Sequence, residues 1–183
     1  KHMGVKLNRA LMNYAMDFLE RVDYKLLYTP QFMQHDTIKK VCQLSEFEET
    51  LYKLEGKDLY MIATSEQPIT AYFKDKKFKK DELPYKVAGI STCFRKETGA
   101  LHRDTRGIFR VHQFEKLEQF CITDKDHSWE IMEYMIGLAM KFYESLGIGY
   151  KVVNIVSGAL NNAAAMKYDL EGYFPGSDNY KEL

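Results

Sequence analysis

The stretch that decides the fold is Val87-Ala88-Gly89-Ile90-Ser91-Thr92-Cys93-Phe94-Arg95-Lys96, followed across a polar, glycine-bearing loop by Ile108-Phe109-Arg110-Val111-His112-Gln113-Phe114-Glu115-Lys116-Leu117-Glu118-Gln119-Phe120. Two apolar-aromatic runs around such a loop outline a long antiparallel hairpin. Side chains alternate faces along a strand. Ser91, Cys93, Arg95 and Glu97 therefore share a face on the first arm, as do Arg110, His112, Phe114, Lys116 and Glu118 on the second. This surface holds arginines, a lysine, carboxylates and an aromatic ring. Buried charges cost several kcal/mol unless paired, so it is expected to face solvent or a ligand. The opposite face, with Thr92, Phe94, Phe109, Val111 and Leu117, is expected to pack on the core. A solvated sheet face laced with ion pairs has the same pattern. Cations around a ring also suit a nucleotide, since guanidinium groups hold phosphate and a flat ring stacks on a purine.

Outward from the hairpin, Leu7, Leu11, Tyr14, Phe18 and Val22 recur at helical spacing, which predicts an amphipathic helix. Tyr24 to Tyr28 follows as a short strand ended by Thr29-Pro30, since proline suits a strand end or an edge. Residues 34 to 49 read as helix and surface segment, Leu59 to Thr64 as a strand, and Glu66 to Phe73 as a helix capped by Ser65 with Pro68 in its first turn. Ser128 opens a further helix stopped by Gly147. Tyr150 to Val156 reads as a strand, followed by an alanine-rich helix and a turn at Pro175-Gly176. Helices with mainly antiparallel strands place the chain in the α+β class.

Of 183 residues, 45% are hydrophobic and 28% charged, an ordinary balance for a folded domain. No apolar run reaches the ~20 residues that span a bilayer, so no membrane partner is expected. Cys42, Cys93 and Cys121 are scattered and odd in number, which argues against a disulfide framework and against a structural zinc. The 26 basic and 26 acidic side chains cancel, which leaves nucleic-acid binding to local patches. The run from Lys74 to Lys80 reads as a solvated loop. Neither a glycine-lysine-serine phosphate loop nor a dinucleotide fingerprint occurs. A nucleotide site would have to be built from side chains on a sheet.

Phe94-Arg95-Lys96-Glu97 and Ile108 to Glu118 resemble the second signature motif of class II aminoacyl-tRNA synthetases, in the wording of the seryl family of eukaryotic cytosolic type. Gly4 to Leu11 through Tyr28-Thr29-Pro30 looks like the first motif, and Ala63-Thr64-Ser65-Glu66-Gln67-Pro68 like the serine-binding segment. Asn154-Ile155-Val156-Ser157-Gly158, Asp169-Leu170-Glu171 and Phe174-Pro175-Gly176-Ser177 continue the match in order. The resemblance implies an antiparallel sheet of six or seven strands flanked by helices, a homodimer and a cytoplasmic location. It also implies ATP-dependent activation of L-serine to seryl-adenylate and transfer to the 3′ end of tRNA(Ser). Residues 1–3 read as a tag remnant, and 4–183 as a catalytic domain cut before the third motif, so the fragment alone is expected to be inactive.

Site roles implied by the resemblance follow position by position. Arg95 would hold the α-phosphate and the serine carboxylate as the catalytic residue. ATP would lie on Arg95, Lys96, Glu97, Arg110, Val111, His112, Gln113 and Phe114, with Glu97 accepting from the adenine amino group and Phe114 stacking on the ring. Glu182 and Leu183 would meet ATP from the end of the chain, Glu182 with a substrate-associated magnesium ion. Thr64 and Glu66 would bind the serine ammonium group and Glu118 its hydroxyl. From pattern alone, helix capping would win for Thr64 and Glu66, and the resemblance reverses that; His112 fits a strand histidine with a local hydrogen bond equally well. His102, Arg103 and Arg106 would contact the tRNA acceptor end. Other readings are a ligase of related fold for another amino acid or a carrier, and a non-catalytic RNA-binding module. Glu118 with Thr64 favours serine, and the presence of Arg95 and Glu97 favours catalysis.

Overall fold

The computed structural model describes residues 1–42, 50–97 and 109–183, and its chain divides into two compact units, Lys1–Ile122 and Thr123–Leu183. The segments 43–49 and 98–108, which include the expected tRNA contacts His102, Arg103 and Arg106, lie outside the described residues.

In the first unit, helix α1 (Met3–Glu20) leads to strand β1 (Lys25–Tyr28), then β2 (Phe32–Gln34), α2 (His35–Ile38), β3 (Leu59–Met61), α3 (Glu66–Phe73), β4 (Tyr85–Phe94) and β5 (Gln113–Ile122). The expected amphipathic helix is present, yet most of its stripe is open: Leu7 is 71% exposed and Leu11 41%. The chain turns at Asp23, which has a positive φ, and buries Tyr24 and Leu19. The helix expected with a surface segment over 34–49 is short in its described part. Only α2, four residues long, forms there, after β2 has paired antiparallel with β3.

The hairpin forms, shorter at its open end than read, since β4 ends at Phe94 and β5 begins at Gln113; the two are antiparallel in the register Gly89↔Glu118, Ser91↔Lys116 and Cys93↔Phe114. β1 joins the other edge of β4 in parallel, so the three-stranded sheet has the order β1-β4-β5. That parallel pair departs from the otherwise antiparallel pairing. A hydrophobic cluster of Met33, Ile38, Leu51, Ile62 and Ala63 fills the space beside β2 and β3.

The expected core face of the hairpin is corrected. On β4 the face of Val87, Gly89, Ser91 and Cys93 is buried throughout, whereas on the other face only Ala88 is buried, Thr92, Phe94, Val111 and Leu117 are half-buried and Phe109 is 50% exposed. The reason is size. Gly89 has no side chain, and the head of α3 settles against it, bringing Ser65 and Ile69 over the strand. Ile69 and Ser65 are 0% exposed, and full burial of an isoleucine is worth about 1.5–3 kcal/mol. The charged residues of that face stand on β5 and beyond the strand ends, where they can pair.

In the second unit, α4 (Ser128–Ser145) is followed by β6 (Tyr150–Asn154), β7 (Tyr168–Phe174) and β8 (Asn179–Glu182) in an antiparallel sheet of order β6-β7-β8. Asp124 accepts hydrogen bonds from the Asp126 and His127 amides (2.9 and 3.1 Å) at the start of α4. Gly147, at φ +69°, ends it in the left-handed conformation that glycine adopts freely. The expected alanine-rich helix is corrected: only a 3₁₀ turn at Ser157–Ala159 and irregular chain precede β7. Three consecutive alanines are too few to nucleate a helix. In addition, Asn161 Oδ1 accepts from the Ala163 amide at 3.2 Å, a local bond that competes with helix. The turn at Pro175-Gly176 does form, and it joins β7 to β8, two strands that the sequence reading missed.

Candidate active site

Two clusters form along the hairpin, separated by four residues of β5, roughly 13 Å. The first surrounds its open end. Pairing runs past the strand ends, since the Arg95 amide donates to the His112 carbonyl at 3.1 Å. The Arg95 guanidinium carbon thereby stands 5.1 Å from the centre of the Phe114 ring, a cation–π contact worth about 0.5–1 kcal/mol at a partly open site. Glu97, in a left-handed conformation at φ +51°, turns its carboxylate back to Arg110, whose Nη1 donates to Oε2 at 2.8 Å. That carboxylate is largely shielded and the arginine is open, at 18% and 56% exposure. The Lys96 amide donates to the Thr50 carbonyl at 2.9 Å. His112 Nδ1 lies 2.5 Å from the Tyr52 hydroxyl. Val111 is half-buried, and Gln113 is exposed opposite Phe94. The first cluster thus combines a cation held over a ring, a shielded carboxylate and a tethered histidine.

The second cluster centres on Glu118. Its Oε2 accepts from the Thr64 hydroxyl, from the Ser65 hydroxyl at 3.1 Å and from the Glu66 amide at 3.2 Å. Its Oε1 accepts from Lys116 Nζ at 2.8 Å, and the same ammonium donates to Thr64 Oγ1 at 3.2 Å. The cap expected of Ser65 is corrected accordingly. Ser65 has helical backbone angles and makes no side-chain cap bond; its hydroxyl turns to Glu118, so a carboxylate from β5 serves the head of α3. Burial, the largest influence on Glu118, pushes its pKa up. The Lys116 charge and the hydrogen bonds from Lys116, Thr64 and Ser65 together outweigh it and hold the carboxyl below its usual range.

The structure therefore brings Arg95, Phe114, Glu97 and Arg110 to one end of the hairpin, and Thr64, Glu66 and Glu118 to a neighbouring stretch. Glu182 and Leu183 belong to the second unit. Glu182 is exposed on β8 opposite Glu171, and the Leu183 amide donates to the Leu170 carbonyl at 3.0 Å. Among the described residues no three His, Cys, Asp or Glu side chains gather as a metal cluster. Magnesium needs none when one or two carboxylates and substrate phosphates supply its oxygens, so the exposed Glu182 carboxylate fits in donor type.

Sequence reasoning assigned no role to Lys116, Tyr52 or Ser65's contact with Glu118. The signal for Lys116 was available, because residues two apart on a strand share a face. Tyr52 carried none, since its partner lies 60 residues away. Glu115, on the other face, accepts from Asn8 Nδ2 at 2.5 Å and Arg9 Nη1 at 3.3 Å, tying α1 to β5.

The model of the tRNA synthetase class II core domain (G, H, P, S and T) matches residues 47–183. The chain is 55% identical over 185 residues to the cytoplasmic serine–tRNA ligase of Dictyostelium discoideum, covering 100% of this chain and 41% of that protein. It is also 55% identical to the serine–tRNA ligase of Helianthus annuus, over 98% of this chain and 42% of the relative. Among solved structures, the cytoplasmic serine–tRNA ligase of Naegleria fowleri in complex with AMP matches with a TM-score of 0.93 and 59% identity, over 98% of this chain and 43% of that one. Seryl-tRNA synthetase of Pyrococcus horikoshii complexed with ATP matches with a TM-score of 0.93 at 38% identity, covering 98% and 40%. The chain spans about two-fifths of the length of the relatives it matches.

Proposed function

The chain belongs to the tRNA synthetase class II core-domain family, and from that premise we propose that it is catalytic-core sequence, 4–183, of a serine–tRNA ligase. The observation that carries the reading is the pairing of Arg95 over Phe114 with a shielded Thr64–Glu118 acceptor farther along the same strand. In this reading a purine stacks at Phe114 and its amino group donates to Glu97. Arg95 draws the α-phosphate and the serine carboxylate together and neutralises charge as a carboxylate oxygen attacks phosphorus and pyrophosphate leaves. Such transfers rest mainly on positioning and electrostatics. The ribose hydroxyl at the end of tRNA(Ser) then attacks the seryl carbonyl, the acyl–phosphate bond breaks, and AMP leaves as the ester forms.

Lys96, Arg110, Val111, His112 and Gln113 line the nucleotide stretch, and Leu183 adjoins Glu182 on the other unit. A magnesium ion bound with ATP would spread the triphosphate charge, and Glu182 would hold it. Thr64 and Glu66 receive the serine ammonium group. Glu118 accepts the hydroxyl, and a site built to pair a hydroxyl rejects an analogue lacking one by roughly 10⁴-fold. We place the protein in the cytoplasm, as the names of its relatives have it. Its dimer surface is the open stripe of Leu7, Leu11 and Tyr14 with the edge strand β1, whose Tyr28 is 70% exposed.

The proposal concerns the full-length protein, because the chain spans about two-fifths of the length of the relatives it matches. The test is amino-acid-dependent ATP–pyrophosphate exchange by the full-length protein across the common amino acids. Exchange confined to serine is expected. Exchange driven by another amino acid, or by none, overturns the reading.

A further inference from the structure

Resting on that reading, we propose that Lys116 is the positioning residue of the hydroxyl acceptor, fixing the Thr64–Glu118 pair in one hydrogen-bond arrangement that leaves only Oε1 of Glu118 open to a substrate hydroxyl. The argument is a proton count. An ammonium has protons to give and no lone pair to offer. Where Lys116 Nζ meets Thr64 Oγ1 at 3.2 Å, the threonine oxygen must accept. Thr64 has one proton, and it is thereby directed to Glu118 Oε2. That oxygen also takes the Ser65 hydroxyl and the Glu66 amide, so its lone pairs are used. Oε1 takes a single donor, Lys116 at 2.8 Å, and keeps acceptor capacity. A hydroxyl that donates to Oε1 finds the lysine beside it.

The placement is built into the strand. Lys116 and Glu118 share a face of β5, with Ser91 and Gly89 as cross-strand partners. Gly89, without a side chain, lets Ser65 close over the strand to within reach of Glu118. Glu118 is 16% exposed and Lys116 34%. A carboxylate so enclosed needs a close cation to stay ionised, and an ionised oxygen is the stronger acceptor. Among the described residues, the other ionisable groups nearest it are Cys93 from β4 and Glu66 at the head of α3, with Arg95 farther along the hairpin at Phe114. Burial pushes the Cys93 thiol above its usual range, which keeps it neutral. Arg95 is engaged with the Phe114 ring, and Glu66 is an acid. Lys116 is the cation in hydrogen-bond contact.

The opposite reading is that Lys116 occupies the seat of the substrate's own ammonium group and is displaced on binding. The two predict opposite signs. In full-length protein, Lys116→Met is expected to raise the serine KM about tenfold with the ATP KM unchanged. It should also move the acid limb of kcat/KM for serine upward by about one pH unit, as Glu118 loses its cation. Lys116→Arg should restore most of both. Thermal unfolding of each variant separates these effects from lost folding. An unchanged or lowered serine KM in Lys116→Met, or equal defects in the Met and Arg variants, overturns the proposal. If Lys116→Met does not fold, the wild-type profile decides: an acid limb below the ordinary glutamate range is expected, and one at or above it is disqualifying. Wild-type protein without serine-dependent exchange would instead sink the functional reading, so the two failures are distinguishable.

Discussion

Gly89 is the position where a single added carbon tests how the site is assembled. A Cβ there would lie 2.5 Å from Ser65 Oγ, 2.5 Å from Ile69 Cδ1 and 3.0 Å from Ser65 Cβ. Ordinary contact begins near 3.4 Å, so the first two fall short by about 0.9 Å. The two closest atoms end rotatable side chains, but both residues are 0% exposed and have little space to turn into. Ser65 Cβ moves only with the helix, so α3 must lift from the sheet. Overpacking of this kind costs about 1–3 kcal/mol. Removing a glycine from the unfolded chain returns about 0.4–1 kcal/mol, which from the middle of both ranges leaves Gly89→Ala about 1.3 kcal/mol less stable. For a domain of roughly 150–250 residues that is a fall in Tm of about 3–5 °C. The lift also draws Ser65 and the Glu66 amide away from Glu118, which faces Gly89 across the strands. Arg95 and Phe114 lie roughly 13 Å farther along and keep their contact. Thermal unfolding and ATP–pyrophosphate exchange on full-length Gly89→Ala should show a lower Tm, a raised serine KM and an unchanged ATP KM. An unchanged Tm with normal serine KM, or equal defects toward serine and ATP, would refute the assembly described.

Two further outcomes follow from charge. The Glu118 pKa is lowered from 4.5, so its stabilising contribution is complete above that value and is lost as pH falls through the lower folded one. Urea unfolding between about pH 3 and 6 should therefore decline less steeply in Glu118→Gln than in wild type, and parallel curves would refute this. His127 Nδ1 lies 2.7 Å from Asp124 Oδ1, and that hydrogen bond, followed by the carboxylate's charge, raises its pKa from 6.5. Its stabilising contribution is complete below 6.5 and lost as pH rises through the raised value. An NMR titration of His127 should fall back toward 6.5 in Asp124→Asn; an identical midpoint in both proteins would contradict the pairing.

The hairpin was legible because alternation alone fixes which residues share a face, and Cys93, Phe114, Ser91 and Lys116 are where that rule puts them. Which face is buried was not legible. Charge counting pointed to the side of Thr92 and Phe94, whereas Gly89, by having no side chain, admits the head of a helix. The parallel pairing of Lys25 with Val87 joins segments far apart in sequence and leaves no local mark. β7 and β8 escaped because Asp169, Glu171, Asn179 and Lys181 interrupt their apolar pattern, while three alanines before them imitated a helix. At the site, the motif residues were found by resemblance and Lys116 was passed over. The proton geometry that gives it a role exists only once Thr64 is folded against β5.

β4 has a neighbour on each side, local in sequence at β5 and remote at β1. Contacts between nearby segments close small loops and form readily, while remote strand pairing waits on a larger entropic cost. Arg95, Phe114, Lys116 and Glu118 all travel with the hairpin; Thr64, Ser65 and Glu66 arrive only when α3 docks. During synthesis, Arg95 and Phe114 can therefore be in place while the bonds of Thr64, Ser65 and Glu66 to Glu118 are still unmade. The amides of β4, held on both edges, would be the last in this sheet to exchange with deuterated solvent.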